Sequence, residues 1–423
     1  MYHSLAYTLL CVLFLMAPTP VFQDRQAETA PAETPIPKLP DGTPLHGTVL
    51  TPEGLLAADA TVALATGKFT PYVHRGEIMQ IKGKEEYVIK TNHEGKFLFG
   101  YFNFNDERRP NLPKPPAGVE TSDYSITIVH DSGCCRVTQE EMEAAIFKKT
   151  PIKLEQWGRI EGTVYTGTKP AKRELMNYDV DNHPDMGWIW NPRVYWNGDD
   201  ADSDADGQFV IEKIPPGKVR VARTILIETK RGTMGYSADT QVVDVCGGET
   251  TFIRIGGEGR PVVGKLVPKN TEPEFDPKDY VVHLNYMGPA PDIKVYANLY
   301  NKTVPTAIRR ERDAAQRDKM LAEWESTTEE GKAFAPERRK YEAEKAAHER
   351  RLNDQKLSGI SQGGTFRIDD VPAGKWYLMV ATCDNIWGGR LTHNFQIEAI
   401  PNGVSDDPLD VGTLTFTVPP PEE

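Results

Sequence analysis

The sequence predicts a mainly β protein: three tandem β-sandwiches, the third carrying an inserted α-helical hairpin. Three observations carry this. An apolar-x-Gly-x-apolar stretch recurs as LHGTV at residues 45–49, IEGTV at 160–164 and VVGKL at 262–266. Each is followed downstream by a turn glycine and then a phenylalanine: Gly95 and Phe97, Gly207 and Phe209, Gly364 and Phe366. The glycine-to-glycine spacing is roughly 50 residues in the first two copies and about twice that in the third, as a repeat with one insertion would give.

Taken in order, residues 1–22 read as a signal peptide. Their apolar run is too short to span a bilayer comfortably and ends in prolines, although no Lys or Arg precedes it and no clear cleavage site follows. Left uncleaved, it would be the chain's contact with a membrane. Residues 23–44 form a Pro-rich linker. The first sandwich is placed at 45–157, the second at 158–257 and the third at 258–418. In each, the opening glycine leaves one face of an alternating strand bare for close packing. The later glycine supplies the positive φ of a tight hairpin turn, and its phenylalanine opens the next strand. In copies two and three, EKIPPGKVRVA and DDVPAGKWYLMVA continue through a Pro-x-Gly turn into another alternating strand. The insertion, about residues 305–357, is rich in Ala, Glu, Lys and Arg, and Pro336 suits the first turn of its second helix. Its apolar stripe is thin: Ala307, Ala314, Leu321 and Trp324 on the first arm.

Composition narrows the function. A net charge of −12 argues against nucleic acid as partner, since phosphate contacts need a basic face. Beyond Cys11, the cysteines are Cys134, Cys135, Cys246 and Cys383, with no C-x-x-C, so neither a redox motif nor a zinc knuckle is written here. The vicinal pair reads as two thiols on a strand, with a strained disulfide as the alternative. An exported chain would also permit a Cys246–Cys383 bridge.

The opening Gly strand, the D-x-D-G-x-F turn and the I/V-P-x-G hairpin resemble the carboxypeptidase regulatory-like domain, a transthyretin-like (Ig-like) β-sandwich of exported bacterial proteins. The resemblance is good in copy two. In copy one, YFNFNDERRPNLPKPPAG replaces the Pro-x-Gly turn, and copy three is split by the helices. It implies an accessory or binding module without catalysis, located in the periplasm, at the cell surface or outside the cell.

Three stretches invite chemistry. DDADSDADGQF, residues 199–209, spaces Asp202, Asp204 and Asp206 like the first half of a calcium loop, but Lys213 stands where a bidentate acid belongs. Calcium site and plain turn are both open readings. HRGE at residues 74–77 has the H-x-x-E spacing of a zinc peptidase, yet no third ligand or α/β scaffold accompanies it. MGWIWNPRVYWNG gathers Trp188, Trp190, Tyr195 and Trp196, suited either to stacking on sugars or to filling the sandwich core. The expectation is a non-catalytic exported multi-domain scaffold or adhesion protein of the cell envelope, partnered by an envelope protein or polysaccharide. The alternative is a carbohydrate-binding protein using the second domain's aromatics, assisted by calcium.

Overall fold

The structure, a computed structural model, describes residues 44–100, 123–180, 194–270, 275–311, 314–354, 356–383 and 391–418. The signal peptide, nearly all of the 23–44 linker, Trp188 and Trp190 lie outside them. No described helix is long and apolar enough to cross a membrane.

Three β-sandwiches follow one another, each with seven main strands in the same order. In the first they are His46–Leu50, Thr61–Thr66, Val88–Lys90, Lys96–Leu98, Tyr124–His130, Gly133–Thr138 and Ile152–Lys153. The second uses Gly158–Thr166, Leu175–Val180, Tyr195–Asp202, Gln208–Ile214, Gly217–Thr229, Gly232–Val245 and Thr250–Gly256. In the third they are Arg260–Pro268, Tyr280–Tyr286, Lys356–Gly359, Thr365–Val371, Gly374–Thr382, Leu391–Ile397 and Leu409–Phe416. In every copy the first strand lies between the fourth, antiparallel, and the seventh, parallel. The facing sheet runs third, second, fifth, sixth. Alternation produces this layering directly: Gly158–Thr166 buries every second residue, from Gly158 to Val164.

The repeated glycines are equivalent points. Gly47 pairs with Phe97, Gly162 with Phe209 and Gly264 with Phe366. A Cβ at these glycines would lie 2.9, 2.4 and 2.7 Å from the opposite ring. The bare backbone is where the phenylalanine lies as it enters the core. The turn glycines match as well: Gly95, Gly207 and Gly364 have φ of 67°, 74° and 77°. Their carbonyls each accept from the first strand, from the N–H of Val49, Val164 and Leu266, at 2.8 Å in all three cases.

Two expectations change. The turns at Gly95, Gly207 and Gly364 are not hairpins. They join the third strand, in one sheet, to the fourth, in the other, and the two Pro-x-Gly turns likewise carry the chain from fourth strand to fifth across the sandwich. The local geometry of a tight turn is the same in both settings; only tertiary pairing tells them apart.

The insertion also differs. It starts earlier and comprises Ile293–Thr303, Thr306–Arg310, Ala314–Thr327 and Glu329–Asn353. Thr328 caps the last helix by accepting from Gly331 N–H, with Glu329 and Glu330 in the first turn, so Pro336 falls inside it rather than at its start. The helices have their own small core of Val304, Ile308, Leu321 and Phe334, with Trp324 against it. Tyr296 stacks on Tyr341 at 4.1 Å, and Arg338 grips Glu325 through two bonds of 2.6 and 2.7 Å.

The connection between second and third strands is where the copies diverge. In the third sandwich it holds the helices. In the first it holds a hairpin, Tyr72–His74 with Glu77–Ile78, which joins the neighbouring sandwich: Tyr72 and Val73 pair in parallel with Tyr195 and Trp196. In the second it includes Trp188 and Trp190, outside the described residues.

Candidate functional site

The acidic stretch occupies a corner. Asp199–Asp202 belong to the third strand of the second sandwich, and residues 203–207 turn into the fourth. Asp204 shapes the turn: its Oδ1 accepts from Asp206 N–H at 2.9 Å and Gln208 N–H at 2.8 Å. Asn92 does the same for Glu94 and Lys96, both at 2.9 Å, and Ser361 Oγ accepts from Thr365 N–H at 3.1 Å. The aspartate is thus the local form of a side-chain-to-backbone turn found in all three copies. Beside it, buried Ser203 donates to Ala171 O at 2.6 Å and accepts from Glu174 N–H at 3.0 Å. Asp202, Asp204 and Asp206 are exposed. Among the described residues no group of three or more His, Cys, Asp or Glu is arranged to hold a metal ion. Asp204 supplies the side-chain-to-backbone bonds that shape the turn.

The aromatic strand divides. Trp196 is 2% exposed and belongs to the core, edge-on to Trp157 at 6.2 Å. It is a packing residue and has no face to offer a ligand. Tyr195, its neighbour on the other face, is 48% exposed. Cys134, Cys135 and Cys246 are free thiols, and Cys383 Sγ donates to Lys278 O at 3.5 Å; Cys134 and Cys135 lie on one strand, with burial raising both thiols well above their ordinary pKa.

HRGE is the tip of the 72–78 hairpin. His74 pairs with Glu77 across Arg75 and Gly76, both at positive φ (49° and 77°), the geometry of a two-residue hairpin loop. The tip lies on Lys213, whose Cδ would be 2.6 Å from a Cβ at Gly76. Lys213 Nζ also reaches Asp131 at 3.0 Å. A core then runs across this junction, joining Ala63, Val73 and Val129 of the first sandwich to Met176, Trp196 and Val221 of the second.

The next junction is built around charge. Lys213 and Asp370 hold the same place, before the I/V-P-x-G turn, both in the left-handed region (φ 53° and 55°) and both within a bulge of the fourth strand, which there carries one residue more than the first strand opposite. As Lys213 reaches back to the first sandwich, Asp370 reaches back to the second. Its Oδ1 accepts from Gly167 N–H at 2.9 Å and Gly257 N–H at 3.1 Å. Arg223 Nη2 lies 2.6 Å from Asp239 and 3.6 Å from Asp370, and Lys356 bonds Asp239 and, at 3.0 Å, Asp354. Arg223, Asp239, Lys356 and Asp370 are all buried. Burial pushes the Asp370 carboxyl up to about 6, and Asp239 adds to this, against the pull of Gly167 N–H, Arg223 and Lys356. Burial also opposes the charge on Asp239, but Lys356 and Arg223 outweigh it and hold that carboxyl below its ordinary range. Ile227 and Tyr236 then pack on Val281, Leu357 and Met379 to complete the contact.

None of these four charges stood out in the sequence. They come together as two pairs, Arg223 with Asp239 and Lys356 with Asp370, more than a hundred residues apart in the chain; the one local sign is that Lys213 and Asp370 are charged residues at matching places in two repeats.

No protein-family model matches the chain, and no curated protein matches it. Among solved structures, similarity is found to a minor pilin of Streptococcus agalactiae (11% identity, 63% of this chain, 98% of that one, TM-score 0.21). It is also found to a major pilin subunit of Bacillus cereus (11% identity, 50% and 69%, TM-score 0.17). A third is a Pseudomonas aeruginosa protein named for a suspected carbohydrate-binding role (14% identity, 24% and 88%, TM-score 0.15). At such low scores the likeness does not extend to function.

Proposed function

We propose that the protein is an exported, non-catalytic scaffold or binding protein of the cell envelope, whose partner is an envelope protein or polysaccharide. The observation that supports this is the construction of its junctions. Contacts between domains of one chain ordinarily resemble transient interfaces, polar and free to move. Here one sandwich donates a hairpin to its neighbour's sheet, a core crosses the first junction, and a buried ion network with an apolar cluster fills the second. Such junctions suppress hinge motion. They suit a chain that presents surfaces at fixed spacing better than one that must open and close around a substrate.

The test is fractionation of the source cells followed by affinity capture on the immobilised chain from the envelope fraction. The protein is expected outside the cytoplasm and is expected to retain a specific envelope component that survives salt washing. Recovery in the cytoplasm, with nothing retained, would overturn the reading. A polysaccharide partner is scored in the same experiment with a Tyr195→Ala variant, because Tyr195 is the exposed member of the aromatic strand.

A further inference from the structure

The first sandwich departs from its two siblings at one strand. In the second, the first strand has a parallel neighbour over seven consecutive residues, Arg159 to Tyr165. In the third, that neighbour runs from Val262 to Pro268. In the first sandwich the equivalent strand is only Ile152–Lys153, opposite Val49 and Leu50. Among the described residues nothing pairs with 46–48 on that side.

The cause is local. Helix Gln139–Lys148, begun by a capping box of Thr138 and Glu141, ends at Lys149 in the left-handed conformation, and Pro151 follows. The chain reaches the first strand too late to run along its beginning. Backbone groups there face the gap. Val49 N–H is used on the fourth-strand side by Gly95 O, whereas Leu50 O accepts from Leu154 N–H on the other side, at 2.9 Å. By alternation, the N–H and C=O groups of His46 and Thr48 point the same way as Leu50 O.

Between this edge and the helix lies a groove of about 770 Å³. Its apolar surface comes from Leu50, Leu98, Ala145 and Ile146, and Leu98 is 63% exposed. His46 and Lys149 line it too, with Lys96, which Glu94 holds at 2.7 Å. Among the described residues no acidic side chain lines the groove, although the chain has 61 Asp and Glu against 49 Lys and Arg.

We propose that this groove is a strand-docking site, which takes an extended segment of another protein, parallel to His46–Leu50, with alternating apolar residues and acidic flanks. The siblings indicate the form of the occupant: at this position they carry Thr250–Gly256 and Leu409–Phe416, both extended and parallel. The cationic lining indicates its charge. Strand addition to an open edge is a general mode of peptide recognition, in which the main chain supplies affinity and side-chain pockets supply choice. The inference rests on the binding-scaffold reading and names its class of partner.

The probe is a fluorescent synthetic peptide copying residues 405–416, SDDPLDVGTLTF, which fills this position in the third sandwich and carries acids. Anisotropy on the whole protein should show saturable binding that weakens with salt, and hydrogen exchange should slow at His46 and Thr48. Thr48→Pro removes one inward-facing donor and is expected to weaken binding about tenfold, the equivalent of one good hydrogen bond. Lys149→Glu, which leaves the ladder intact, should also weaken it. Unchanged exchange at His46 and Thr48, or a proline-interrupted peptide that binds equally well, would overturn the proposal. So would concentration-dependent self-association abolished by Lys149→Glu, which would make the occupant a second copy. None of these readouts depends on cellular location, so failure here is separable from failure of the envelope reading.

Discussion

At Gly162 an alanine would place its Cβ 2.4 Å from Phe209 Cζ and 2.9 Å from Ile253 Cγ1, although the backbone there has no special conformation. The demand for glycine is one of space. Gly162→Ala should therefore destabilise the protein by about 1–3 kcal/mol, the cost of overpacking a core, as read from the urea midpoint. Shrinking the ring in Phe209→Leu should recover part of that loss in the double variant, whereas additive losses would show that the pair does not interact. Asp204 makes a second case at this scale. Asp204→Ala should cost about 1 kcal/mol by releasing two backbone N–H groups, while Asp204→Asn, the residue type at the matching position 92, should cost little. Asp206→Ala should stay within about 0.5 kcal/mol, as exposed substitutions do. A calcium titration of the parent and these three variants separates a turn from a metal site. Heat that vanishes in Asp204→Asn would assign calcium to the corner; no heat in the parent protein leaves Asp204 as a turn-former alone.

Elements were legible in proportion to how local their causes are. The opening strands announced themselves through Gly47, Gly162 and Gly264, because each bare position must meet an aromatic ring in the adjacent strand of the same sandwich. The destination of the corner turns was not legible, since a left-handed glycine serves a hairpin and a sheet-to-sheet crossing equally. Pro336 misled for a related reason: proline is tolerated at a helix start, but the cap at Thr328 and the two acids after it set the start earlier, and the surrounding core holds the helix through the proline. Trp196 reads the same in sequence whether it faces a ligand or a core. Only the arriving hairpin and Trp157 decide it. Because the helical insertion packs on residues of its own, excising 293–351 and bridging the gap with a short Gly-Ser linker should leave the third sandwich folded. Its Trp376, 1% exposed beneath Pro372 O, should keep a buried fluorescence spectrum. A red-shifted, solvent-exposed spectrum would mean that the helices are part of the sandwich's stability; the contact most able to cause that is Tyr286 with His348 and Arg351.

Across the whole molecule, the second and third sandwiches are joined through a network whose charges cannot be removed singly without exposing another. Lys356→Met leaves Asp239 buried with one cation fewer and should cost about 3–5 kcal/mol, as broken buried pairs do. The pH dependence is more particular. Asp370 titrates at about 6 in the folded chain against an ordinary 3.8, so the folded state binds its proton more tightly than the unfolded chain does. Its contribution to stability is therefore fully present below about pH 4 and is lost as pH rises through about 6. Asp239 has the opposite sign: held low, it stabilises above its ordinary range and fails only as pH falls further. Between about pH 4 and pH 7 buried His283, its pKa lowered to about 4, changes stability in the opposite direction, so Asp370 is isolated only by difference from a variant that keeps His283. Asp370→Asn can still accept from Gly167 and Gly257 but does not titrate, so relative to that variant the native chain should lose about 3 kcal/mol across the interval. Denaturant unfolding at three or four pH values measures the difference. Two parallel curves would show that the carboxyl at the junction has an ordinary pKa, and that Arg223, 3.6 Å away, already compensates its burial.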